Sequence, residues 1–180
     1  MTTRPARICL TLLALAALAG CGPKFVRERV YDKPNMRVEL RHQKSGDAPV
    51  ARGYSHPATI ADVRIAHILA SLSYEDDEGN RKPAIRAQFV YELGDAISAA
   101  LAKAGPDDEV AAAVFPEDRR LQIFTDTRVT AFRLFVQGEQ MRVDFYAVEQ
   151  ALDPDARRAG TREYEIPTAL PTLEPRFKLS

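Results

Sequence analysis

The sequence predicts an α+β domain in which two amphipathic helices pack on one face of a mainly antiparallel sheet of four to five strands. Three observations carry this prediction. Phe89, Val90, Leu93, Ile97, Ala100, Leu101 and Ala104 fall in one stripe at helical spacing, with Gln88, Glu92, Asp95, Ser98 and Lys103 opposite. Val110 to Phe115 is a short apolar run of the kind interior strands use. Around Gly138-Glu139 two alternating segments face each other: if the two residues form a turn with glycine first, Gln137 meets Gln140, Val136 meets Met141, Leu134 meets Val143 and Phe132 meets Phe145 on one face, and Arg133 meets Asp144 on the other. A slip by one residue would turn every one of those apolar side chains outward, so the pattern fixes the register.

The remaining elements follow in order. Met36, Val38 and Leu40 alternate as a first strand, and Lys44 to Pro57, with Gly46, Pro49, Gly53 and Pro57, reads as a surface loop. Thr59 is a candidate N-cap for a first helix that sets Ala61, Ile65, Ile68, Leu69 and Leu72 on one side and Arg64, His67 and Ser71 on the other. Ser73 to Lys82 is polar and contains Gly79-Asn80, the composition of a turn. The second helix is expected to stop at Gly105-Pro106, with Lys103 in its last turn and Gly105 as a left-handed cap. Leu121 to Thr127 reads as a strand, as does Arg162 to Ile166 within a tail punctuated by Pro154, Pro167, Pro171 and Pro175.

The first twenty residues have a different character. Arg4 and Arg7 precede an apolar run from Ile8 to Ala19, the order of a cleavable secretory leader. The run is too short for the roughly 20 residues a membrane-spanning helix needs before Gly22 and Pro23 break it. It ends in Leu18-Ala19-Gly20-Cys21, which resembles the lipobox of bacterial lipoprotein precursors. The resemblance implies cleavage before Cys21, a diacylglycerol on its sulfur and a second acylation at its new amine. Two or more chains hold a protein on a bilayer stably, where one does so only marginally. Gly22, in the place where an aspartate favours inner-membrane retention in enteric lipoproteins, implies the inner leaflet of the outer membrane, with the domain facing the periplasm. The expected organisation is a cleaved leader over 1–20, an anchor and tether over 21–35, one α+β domain over 36–152 and a Pro-punctuated tail over 153–180.

Composition narrows the chemistry. The chain carries 25 basic and 25 acidic residues, and loss of the leader takes two of the arginines, so the remainder is slightly acidic and has no call on nucleic acid. Cys9 leaves with the leader, which excludes a disulfide and any thiolate-based metal site from the mature domain.

Other candidate sites read as structural. His42, His56 and His67 lack a second histidine at ligand spacing, and His67 falls on the polar face of its helix. Glu75 to Asn80 is acidic, yet a calcium loop starting at Asp76 would need glycine where Arg81 stands. Ser55-His56 are neighbours in a loop with no nucleophile elbow. Carboxylates that meet only in the fold stay open. The tail, with Leu170, Leu173, Phe177 and Leu179, suits either a partner or its own domain.

Cys21 is therefore the single expected site residue, for lipidation, with no catalytic, cofactor-binding or metal residues beside it. The expected role is that of a membrane-anchored envelope lipoprotein, not an enzyme, whose domain contacts another envelope protein in an assembly, stabilising or adaptor role. The alternative is an auxiliary lipoprotein of an envelope transport system that binds lipid or another hydrophobic ligand between sheet and helices.

Overall fold

A computed structural model describes residues 24–120, 124–152, 164–170 and 178–179; the leader and the lipobox with Cys21 lie outside these described residues. In chain order they form β1 (Lys24–Lys33), β2 (Met36–Ser45), β3 (Ala48–Pro49), α1 (Asp62–Ser71), β4 (Ser73–Glu75), β5 (Arg81–Pro83), α2 (Ala87–Lys103), β6 (Glu109–Val114), β7 (Glu117–Arg120), β8 (Phe124–Gln137), β9 (Gln140–Ala151) and β10 (Lys178–Leu179). The fold is α+β, with antiparallel pairing throughout, but the main sheet has seven strands rather than four or five. Its backbone is β1-β2-β6-β8-β9, with β3 beside the end of β2 and β7 beside the start of β8. A small sheet, β10-β4-β5, stands apart.

The extra strands have identifiable origins. Residues 24–33, expected to belong to the tether, form β1, an edge strand with most of its side chains in water; charge fills positions where an interior strand would alternate. β6 and β7 pair with β8 in one continuous register, broken at Phe115-Pro116. Pro116 has no N–H to give the ladder, and the Phe115 N–H donates to the Asn35 carbonyl instead (2.9 Å). The strand expected over 121–127 is thus partly the start of β8; residues 121–123 are outside the described residues.

The hairpin joining β8 and β9 keeps the expected register from Gln137↔Gln140 to Phe132↔Phe145. Gly138 has φ 61° while Glu139 does not share it, as a type II′ turn requires. Further along, β9 gains one residue on β8 between Val129 and Ala131 and another before Phe132. At the first of these bulges Glu149 adopts φ 46°, and its N–H, out of the ladder, donates to Thr130 Oγ1 (3.0 Å).

One sheet face and the helices share the main core. Met36, Val38, Leu40, Val110, Val114, Phe132, Leu134, Val136 and Phe145 pack with Phe89, Leu93, Ile97 and Leu101 of α2 and Ile65 and Leu69 of α1. α2 lies against β1, β2 and β6, whereas α1 rests chiefly on α2. Their approach depends on Gly94, where a Cβ would stand 2.8 Å from the Asp62 carbonyl oxygen and 3.1 Å from Ala66 Cβ. Two expected caps are corrected. α1 begins at Asp62 behind Ala61, with no side-chain cap, so Thr59 is not its N-cap; and α2 ends through an extended Ala104, with the Gly105 N–H taken by Asp108 Oδ2 (2.8 Å) instead of a left-handed glycine.

The opposite face carries small side chains, Ala111, Ala113, Ala131 and Ala147, ringed by Phe115, Val129, Tyr146 and Leu152. Tyr164 and Ile166 of the tail lie on it. Residues 164–167 have no strand pairing, so the described part of the strand expected over 162–166 is not a strand. At its end the tail supplies β10, paired with Tyr74 and Glu75 of β4.

Candidate functional site

Charged residues gather at two places. On the tail-covered face, β2 alternates so that Arg37, Glu39 and Arg41 point away from the helices and are all buried. Arg41 is wholly buried and every one of its nitrogens donates: Nε to Glu109 Oε1 (2.6 Å), Nη1 to the carbonyls of Ile166 (3.2 Å) and Pro167 (2.7 Å), and Nη2 to the Tyr146 hydroxyl. Its guanidinium also stacks over the rings of Phe25 and Tyr146. Arg133 joins Glu109 (3.1 Å) to Asp144 (2.9 Å), and Arg37 Nη1 holds the Tyr164 carbonyl. Burial pushes the Tyr146 and Tyr164 hydroxyls up to about 12 and raises Glu39. This network binds backbone carbonyls of the tail, and its chemistry is that of a clamp.

The second gathering is an open cleft of about 290 Å³ lined by Tyr74, Lys82, Pro83, Arg86, Asp118, Arg128 and Glu149. Arg86, the residue before α2, grips Asp118 (2.7 and 2.9 Å) and Glu149 (2.9 and 2.6 Å), two forks on one guanidinium. Those bonds, Asp118's first, push its pKa up. The bulge of β9 is what aims Glu149 here. Arg128 is held more loosely: Nη1 donates to the Glu149 carbonyl (3.1 Å), Nη2 stands 3.6 Å from Asp126, and the buried Nε makes no hydrogen bond, 3.8 Å from Asp118. Lys82 is tied to Asp76 (2.5 Å). Both cleft carboxylates are neutralised by arginine, an arrangement suited to recognising charged or carbonyl groups through Arg128 rather than to moving protons.

The register locates this cleft. Lys24, Lys44, Gln137 and Gln140 mark one end of the sheet, and Arg128, Glu149 and β7 the other. From Gln137 to Arg128 along β8 the distance is about 30 Å at ~3.3 Å per residue.

The residues weighed in the sequence take structural places. His56 is buried, its Nε2 accepting the Val136 N–H (3.0 Å), and Ser55 Oγ accepts the Gly138 N–H (2.9 Å), so this pair fastens the loop to the hairpin. His42 Nδ1 meets Asp108 (2.9 Å), and His67 is exposed on α1. Asp76 caps its own turn, accepting from the N–H groups of Glu78 (3.0 Å) and Asn80 (2.9 Å); with Lys82 beside it, its carboxyl is held at about 2. Among the described residues no group of His, Cys, Asp or Glu is placed to hold a metal ion, and no helix is long and apolar enough to cross a membrane. Leu173 and Phe177 lie outside the described residues. Sequence reasoning missed Arg86, Asp118, Arg128 and Glu149; the basic residues Arg81, Lys82 and Arg86 around Pro83 and the polar ends of β7 and β9 were the only local signals.

No family model, curated protein or solved structure matches this chain.

Proposed function

We propose that this is a lipid-anchored envelope protein, attached through Cys21 to the inner leaflet of the outer membrane, whose periplasmic domain docks another envelope protein in an assembly, stabilising or adaptor role without catalysis. One observation carries the reading: the Arg86–Asp118–Glu149 cleft stands at the end of the sheet opposite Lys24, the residue three positions after Cys21. Such a layout offers the cleft to the aqueous side of an anchored domain. Arg128, about a third exposed and with Nη2 only in a 3.6 Å ion pair to Asp126, is the natural donor to a partner's carboxylate or carbonyl. The alternative, a pocket for a hydrophobic ligand, has less support, because the apolar faces it would need, Phe132, Leu134, Val136 and Phe145 against Phe89, Leu93 and Ile97, fill each other.

The test is crosslinking in intact cells, followed by membrane extraction and mass spectrometry, with wild type, Cys21→Ala and Arg128→Glu. A discrete envelope protein captured by wild type and lost in both variants supports the proposal. A folded, membrane-bound wild type that captures nothing specific overturns it.

A further inference from the structure

Resting on the lipid anchor proposed above, we infer that the β1–β2–β3 end of the domain lies directly against the bilayer, with Lys24, Lys44 and Arg52 among anionic lipid headgroups. The first support is length. Gly22 and Pro23 alone separate Cys21 from Lys24, where β1 is already paired, and three residues span at most about 10 Å. An acylated Cys21 therefore leaves this end no room to stand off the membrane.

The second support is charge. Lys24 and Lys44 are direct cross-strand partners, and like charges in that relation repel. Among the described residues neither has a carboxylate partner, and the Arg52 guanidinium bonds only Gln43 Oε1 (2.6 Å), the Asp107 carboxylate being taken up by the Arg52 backbone N–H (2.8 Å). Cations elsewhere in the domain are mostly paired: Arg27, Arg29, Lys33, Arg41, Lys82, Arg86 and Arg133 all face carboxylates within 4 Å. Asp47 and Glu139, on the turns of the same end, pair with none of the three. The corner thus holds three unneutralised cations where the anchor fixes it, and phospholipid phosphates supply the missing counter-charge.

Because Cys21 would be the mature chain's sole cysteine, single labels are straightforward. Acylated protein, verified by intact mass, is reconstituted into phosphatidylcholine vesicles with and without phosphatidylglycerol and a headgroup-linked quencher. Labels are placed at exposed positions of the two ends, Ser45→Cys and Glu117→Cys. The Ser45 label should be quenched several-fold more than the Glu117 label, and a flexible Gly/Ser insert after Pro23 should narrow the difference. Lys24→Glu, Lys44→Glu and Arg52→Glu together should lower quenching at Ser45 only where phosphatidylglycerol is present. Equal quenching at both ends of acylated, membrane-bound protein overturns the inference and leaves the anchor standing. A mass without acyl chains overturns the anchor, and this inference with it.

Discussion

Arg86 and Glu149 are 63 residues apart and meet through two hydrogen bonds of 2.9 and 2.6 Å, one side supplied by the residue that precedes a helix and the other by a bulged strand. Their coupling should be measurable. A double-mutant cycle with Arg86→Met and Glu149→Gln should return an interaction of about 1–3 kcal/mol in urea unfolding. Additive single effects would mean that the fork contributes nothing beyond its separate parts.

Gly94 sets the distance between the helices. Gly94→Val puts side-chain atoms where the Asp62 carbonyl already stands at 2.8 Å from a Cβ, and backbone cannot move as a flexible side chain would. Stability should fall by about 1–3 kcal/mol, with Gly94→Ala intermediate, read as shifted urea midpoints at unchanged slope.

His56 should make the domain acid-sensitive. Burial lowers its pKa below the usual 6.5, partly offset by the backbone at Asp108 and Gly105, so the unfolded chain takes up a proton before the folded one does. Its contribution is intact above about pH 6.5 and is lost as pH falls from there toward the folded pKa. Glu39, raised by burial, acts with the opposite sign in acid, so the quantity to measure is the difference between wild type and His56→Asn. The wild type should lose more melting temperature than the variant between pH 7.5 and 5.5.

Arg41→Met should free the tail. It removes the donors to the Ile166 and Pro167 carbonyls and takes from the buried Glu109 carboxylate one of its two arginines. A loss of about 3 kcal/mol or more is expected, with proteolytic cleavage appearing near residue 166 before the domain unfolds. Cleavage at the wild-type rate would show that the apolar contacts of Tyr164 and Ile166 suffice to hold it.

Legibility in the sequence followed the range of the interaction. The β8–β9 hairpin could be paired residue by residue because its register rests on a turn glycine and on alternation within a few residues. The α2 stripe was equally plain. β1 was hidden because an edge strand exposed on both sides carries Arg27, Glu28 and Arg29 where a buried strand would show its period. The cleft was hidden for a different reason: Arg86, Asp118, Arg128 and Glu149 come from a loop, two different strands and a bulge, and no local pattern announces that a β9 residue will take φ 46° and turn toward Arg86. Arg37, Glu39 and Arg41 were visible as the polar side of β2, but their burial depends on a tail more than a hundred residues away.

That tail has a consequence for biosynthesis. The alanine-lined face of the sheet is closed by residues 164–167, which are synthesised after every strand of the main sheet. A product terminated before residue 164 contains the helices and all seven strands of the main sheet, yet it lacks the residues that cover the alanines and accept from Arg41. The stability of the sheet thereby depends on chain made after it, and a product that stops short of residue 164 exposes the kind of apolar surface that quality control recognises.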